Sequence, residues 1–283
     1  MARLAHSVAA VLIAVAAPAH ADPLVFDNGR VFITARINGV ETEALLDSAA
    51  EATLVDETFA ARAKLPQGAA QTLRGSGGSA SARLVEGVTV TALGIELHPE
   101  AVAVTDLTQL SKRLIKRPTN LVLGRELFDA TRLQIDLRRR RITIASKAIV
   151  PRGKKLMLTA HAGVEAIPVV AAGRSVQADF DLGNGSGVLI SRALVNRLRL
   201  KIVGRRPGGG IGGEVNRDLV TIPVLRVAGV PFRAVMAAID DQPSANDLNI
   251  GTSILRHFVI ITDFKRRAVW LTPNRMLTSR SRR

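Results

Sequence analysis

A chain of 283 residues with 47% hydrophobic content is long enough to bury one large core or two small ones. It has no cysteine, which excludes disulfides and thiol catalysis and leaves stability to packing. A formal net charge of +15 raises nucleic acid and anionic membranes as partners, but the arginines are spread along the chain apart from Arg138–Arg141 and the tail from Arg275 to Arg283. With 3% aromatic residues and no tyrosine there are few platforms on which single-stranded bases could stack, so no nucleic-acid partner is expected. The charge reads as a basic solvated surface with weak electrostatic attraction to an anionic envelope surface.

Met1-Ala2-Arg3, the apolar run from Val8 to Ala17 and the small-residue site Ala19-His20-Ala21 read as a signal peptide over residues 1–21. The run is well short of the roughly 20 residues that span a bilayer, so the mature chain is expected to begin near Asp22 in the periplasm or outside the cell. A first unit is expected over residues 24–146. From Val31 to Leu46 apolar and polar residues alternate around Asn38-Gly39, the signal for a hairpin with a tight primed turn, and the second arm runs into Asp47. Glu57 to Leu65 has helix-forming composition and stops at Pro66. The glycine-rich stretch Arg74–Ser79 and short apolar strands at Leu84–Val90 and Ala101–Val104 follow. Leu121-Val122-Leu123-Gly124 then leads to the acidic-basic strand Ile135–Arg140.

Lys147 to Lys155, with Pro151 and Gly153, reads as a linker. A second unit, 156–273, repeats the order of the first: a turn at Ala172-Gly173, Asp181, a helix over Arg192–Leu200, a glycine-rich stretch Pro207–Gly213, strands Leu219–Val227 and Phe232–Ala238, then Leu248-Asn249-Ile250-Gly251 and Thr262–Arg267. Gly39 and Gly173 are 134 positions apart, as are Asp47 and Asp181; Gly124 and Gly251, and Asp136 and Asp263, are 127 apart. The change of offset places a net shortening in the middle of the second copy, where surface loops absorb length changes. Residues 274–283 read as a basic disordered tail. Many short strands with regular turn signals and no long helix predict a mostly β fold.

The paired acids carry the chemistry. In Ala44-Leu45-Leu46-Asp47-Ser48-Ala49-Ala50 a carboxylate ends an apolar strand and is followed by small residues, so a tight loop holds it on a rigid base. Ala178-Asp179-Phe180-Asp181-Leu182-Gly183-Asn184-Gly185-Ser186 places a second acid likewise. Asp179 is a rival to Asp181, but the 134 offset and the following Gly183 favour Asp181. The first string resembles the Asp-Thr/Ser-Gly-Ala motif of aspartic proteases, and the second resembles the diverged form in bacterial two-lobed relatives of retropepsins. Leu123-Gly124-Arg125 and Ile250-Gly251-Thr252 look like that family's apolar-apolar-Gly signature. The resemblance runs from about Asp27 to Thr272 and implies two duplicated retropepsin-like β-barrel lobes with short helices, related by a pseudo-twofold axis within a monomer.

On that resemblance Asp47 and Asp181 would meet, share a proton and activate a water against the peptide bond of a polypeptide substrate, with no metal or other cofactor. Gly77 and Gly78, and Gly209 and Gly210, would be flap tips closing over the substrate. Thr53 and Ser186 are candidate supporting hydroxyls, and Ser48, Gly183 and Asn184 complete the loops. Two departures stand out: Ala49 replaces the usual glycine where the backbone is expected to need positive φ, and Leu182 replaces the hydroxyl that, on the resemblance, bonds across to the opposite loop. A weakened site would leave a peptide- or partner-binding protein of the envelope. Asp136 and Asp263 read as structural acids. Gly208, Gly210 and Gly213 satisfy G-x-G-x-x-G but lack the strand and helix a dinucleotide fingerprint needs. His98, His161 and His257 lack metal-ligand spacing, and Asn184-Gly185-Ser186 matches a glycosylation sequon.

Overall fold

A computed structural model describes residues 22–146 and 148–274. The expected signal peptide, and the basic tail beyond Asn274, lie outside the described residues. What is described is mostly β, and no helix in it exceeds the seven residues of Arg192–Leu198.

Each half is built around the hairpin that ends in its acid. Arg30–Ile37 pairs with Val40–Leu46 through Asn38-Gly39, both with positive φ (47° and 82°), the conformation a primed turn demands. Val164–Ala171 and Arg174–Phe180 do the same through Ala172 and Gly173 (47° and 83°). The second arm of each hairpin runs parallel to a three-residue strand, Leu121–Leu123 in one half and Leu248–Ile250 in the other. Those strands in turn lie antiparallel to Leu54–Asp56 and Val188–Ser191. Both acids therefore sit at the end of a strand flanked by buried neighbours, with their loops pinned on each side.

A third sheet joins the halves. Its six strands run in the order Asp22–Pro23, Arg141–Ile144, Leu133–Asp136, Phe258–Asp263, Ala268–Pro273, Lys154–Met157, and its central pair, Leu133–Asp136 against Phe258–Asp263, brings together chain segments from either side. The expected linker thus ends earlier than its composition suggested: Lys154 and Lys155 are strand residues paired with Leu271 and Trp270. Asn274 likewise belongs to the fold, since its N–H donates to the His257 carbonyl at 2.9 Å. Asp136 and Asp263 are structural, as expected; each accepts a backbone N–H three residues on, from Arg139 and Arg266.

One apolar core runs through all three sheets, from Leu24 and Phe59 to Phe180, Phe258 and Leu271. A smaller cluster of Phe32, Leu45, Leu107, Ile115 and Val122 lies apart from it, and Ile211, from the far half, packs onto it. The glycine-rich segments are the tips of hairpins, Ala69–Gly75 with Gly78–Val85 and Ile202–Gly210 with Gly213–Val227. The second is longer than its apolar residues predicted, because Gly208, Gly209 and Gly210 continue the ladder. No helix follows, which removes the dinucleotide reading.

Candidate functional site

The two acid loops face each other across the halves. Asp47 is anchored by its N–H to the Leu123 carbonyl at 2.9 Å, and Asp181 by its N–H to the Ile250 carbonyl at 3.1 Å. Asp47 Oδ1 accepts the N–H groups of Ala49 at 2.9 Å and Ala50 at 3.1 Å. Asp181 Oδ1 accepts the Asn184 N–H at 2.9 Å, and Oδ2 accepts Asn249 Nδ2 at 2.7 Å. Short turns that bond their own carboxylate hold each acid in one orientation.

Ser48 ties one loop to the other. Its hydroxyl donates to the Phe180 carbonyl at 2.7 Å and accepts the Leu182 N–H at 3.0 Å, in a position that is 2% exposed. Leu182 is fully buried in the main core and has no hydroxyl to return the bond, so one side chain makes the whole polar bridge. Gly183 explains its own identity: a β-carbon there would lie 2.3 Å from Asp47 Cγ, so the glycine backbone is packed directly on the opposite carboxyl. Ala49 differs from what its departure suggested. It lies outside the positive-φ region, so its methyl carries no backbone strain.

Thr53 supports the first loop from beneath: its N–H and hydroxyl donate to Glu126 at 2.7 and 3.0 Å, and its hydroxyl accepts the Gly124 N–H. Asn184 supports the second, donating to the Gly187 carbonyl and to Asn249 Oδ1, both at 2.7 Å. Ser186 is exposed and bonds to neither acid; its N–H donates to Asn184 Oδ1 and its hydroxyl accepts Arg30 Nη2 at 3.4 Å. Asp179 accepts Asn246 Nδ2 at 2.8 Å.

The electrostatics follow from this crowding. Burial, then the charge of Asp181, pushes Asp47 up to about 7 against the pull of two backbone N–H groups and Arg30. Some surface of each acid stays open, but enclosure by protein is the largest effect on both. Asp181 is also raised by burial, opposed first by the Asn249 amide and then by the N–H groups of Asn184 and Gly183. Burial raises Asp179 to about 6, partly offset by Asn246. Two neighbouring carboxyls cannot both ionise cheaply, so the charge of Asp181 opposes ionisation of Asp47.

Arg30 and Asn249 are site residues that sequence reasoning missed. Arg30 is 7% exposed, its charge favours ionisation of both acids, and its bonds to the Asn28 carbonyl and Ser186 are long at 3.3 and 3.4 Å. No local signal marks it, because Asp181 and Ser186 lie more than 150 positions away and Asp47 faces it only once the strands have paired. Asn249 did leave a signal: it is the polar residue in an apolar-apolar-Gly segment whose counterpart holds Val122.

The expected flap tips meet. The Gly77 N–H donates to the Ile211 carbonyl at 3.0 Å, and the Ser76 hydroxyl donates to the Gly209 carbonyl at 3.1 Å. Gly77 is needed there, since a β-carbon would lie 2.2 Å from the Gly213 carbonyl oxygen. Gly78 and Gly210 flank the same crossing, and Arg217, 6% exposed, bonds the Ser76 carbonyl at 2.6 Å and Asp240 at 2.8 Å. A cavity of about 230 Å³ opens beside this crossing, between Leu110, Arg113, Ile211 and Glu214, and neither acid lines it.

Residues 33–127 match the family model for aspartyl proteases. The match takes in Asp47, its loop, the first hairpin tip and Gly124, and it ends before Asp181. No curated protein matches the chain.

Proposed function

We propose that the protein is an exported aspartic endopeptidase, made of two duplicated retropepsin-like barrel lobes whose acids, Asp47 and Asp181, form one site in a monomer. The observation that carries this reading is the opposed pair of loops, in which Gly183 packs on the Asp47 carboxyl and Ser48 bonds across to Phe180 and Leu182. A carboxylate takes a proton from water as the water oxygen bonds to the peptide carbonyl carbon. The protonated acid gives its proton to the carbonyl oxygen. When the C–N bond breaks, the protonated acid gives its proton to the leaving amine while the other carboxylate takes one from a hydroxyl of the tetrahedral intermediate, so the pair again holds one proton. The glycine-rich hairpin tips would part to admit an extended polypeptide and close to exclude water.

A second reading is favoured by one observation: Leu182 is buried where a hydroxyl would complete the bridge between the loops. On that reading the cleft holds a peptide or partner without cutting it. Turnover of a mixed peptide library from acidic to neutral pH by the mature protein, by Asp47→Asn and by Asp181→Asn separates the two. Cleavage by the wild type that each substitution lowers by several orders of magnitude supports the peptidase. Equal, negligible turnover in all three sinks it and leaves the binding protein.

A further inference from the structure

The two acids are alike in sequence context but not in their hydrogen bonds. Both bonds to Asp47 fall on Oδ1, whereas Asp181 accepts on both oxygens. The difference comes from Asn249, on the strand Leu248–Ile250 that runs parallel to the strand leading into Asp181. Its neighbours Leu248 and Ile250 are fully buried, and the matching strand of the N-terminal half carries Val122, also buried. An amide in such a strand costs free energy unless its polar atoms are paired. Both are, and one of them is paired to a reacting carboxyl.

The direction of that bond is set by the backbone. Asn184 lies between the Gly187 carbonyl, which can only accept, and the Ser186 N–H, which can only donate; the first takes Nδ2 at 2.7 Å and the second finds Oδ1 at 2.9 Å. With its orientation settled, Asn184 turns its other N–H to Asn249 Oδ1 at 2.7 Å. Asn249 is then left with Nδ2 facing Asp181. A flipped Asn249 would set N–H against N–H at one end and oxygen against oxygen at the other. The chain from Gly187 through Asn184 and Asn249 therefore delivers a donor to Asp181 Oδ2. Donors of this kind bond a carboxylate more strongly than a carboxylic acid.

We propose that Asn249 is a positioning residue that, through this bond, keeps Asp181 as the ionised member of the pair and leaves the shared proton on Asp47. Resting on the peptidase reading, this assigns the roles: Asp181 takes the proton from the attacking water, and Asp47 gives its proton to the substrate carbonyl. The charged groups acting on the pair do not make this choice. Arg30 favours ionisation of both acids, and the negative charge of Asp179 beside Asp181 works against it. Each acid also accepts backbone N–H groups on Oδ1, from Ala49 and Ala50 at Asp47 and from Asn184 at Asp181, and the Asn249 amide adds a side-chain donor that bonds Asp181 alone.

The test reads protonation directly and does not depend on turnover. In full-length mature protein labelled with ¹³C at the aspartate carboxyls, Asp47→Asn and Asp181→Asn assign the two signals, and each is followed against pH. In the wild type Asp181 should ionise first. In Asn249→Val, which copies the residue at Val122, the Asp181 transition should rise by roughly one to two pH units, the size expected for losing a hydrogen bond to a charged group. In peptide cleavage the same variant should move the acidic limb of kcat/KM upward by a similar interval, with KM little changed. A wild type in which Asp47 ionises first overturns the proposal, even if the variant does not fold. So does a folded Asn249→Val with the wild-type order and spacing. If no peptide is cut but the titration behaves as stated, the peptidase reading fails and the proton assignment stands.

Discussion

Removing the Ser48 hydroxyl should loosen the whole molecule at its centre. In Ser48→Ala the Phe180 carbonyl and the Leu182 N–H both lose their partner, at a position that is 2% exposed and beside a leucine that is fully buried. Leaving a buried backbone group unpaired costs about 1–3 kcal/mol. Two such groups, less some relaxation, give roughly 2–5 kcal/mol, because Leu182 offers no second hydroxyl to take up the bonds. For a protein of this size that corresponds to a fall in Tm of about 5–15 °C. Thermal and urea unfolding of wild type, Ser48→Ala and Ser48→Thr would measure it. Threonine keeps the hydroxyl and should recover most of the loss, while the cleavage rate of Ser48→Ala should fall as the loops drift apart. A Tm within about 2 °C of wild type for Ser48→Ala, measured against the same scale, would refute the view that one side chain joins the two acid loops.

The pH dependence of stability has a definite sign. Asp47 is raised in the folded state to about 7, from a value near 4 when unfolded. Between those values the native protein binds more protons than the unfolded chain, so its contribution is full below about pH 4 and is lost as pH rises through about 7. Asp47→Asn should flatten this slope and be more stable than wild type at pH 8; a less stable variant there contradicts the burial argument. Gly183→Ala should spare the backbone, since Gly183 is outside the positive-φ region, but its methyl would meet the Asp47 carboxyl at 2.3 Å. Reaching ordinary contact displaces the acid by about 1 Å, enough for roughly a hundredfold loss of kcat, and kcat within fivefold of wild type would exclude that contact. Arg217→Met should leave the partly exposed Asp240 without its guanidinium partner and free the Ser76 carbonyl, costing about 1.5–3 kcal/mol. Limited proteolysis should then cut the glycine-rich tips faster; unchanged cutting would show that Arg217 does not hold them.

Both acids, their loops and the hairpins that carry them were legible because they depend on local chemistry. Asn38-Gly39 and Ala172-Gly173 specify turns, alternation specifies the arms, and both arms end at an aspartate. The glycine-rich tips were legible for the same reason, though the ladder through Gly208–Gly210 was not, since glycine leaves no apolar pattern to count. The end of the linker was misplaced because Lys154 and Lys155 look like loop residues; their strand exists only because Trp270 and Leu271 offer an edge to pair with.

The contacts that distinguish one acid from the other were decided by tertiary structure. Ser48 meets Phe180 across 132 positions and Arg30 meets Ser186 across 156, and no spacing rule reaches so far. Ala49 looked like a strained substitution until its backbone proved ordinary, and Gly183 is constrained through contact with Asp47 and not through φ. By itself the sequence determined that there are two acids on matching loops, because turns and strand ends are written in neighbouring residues. Which acid accepts the extra donor, how tightly the loops press together and how the hairpin tips cross depend on packing between distant segments, which only the folded chain brings into contact.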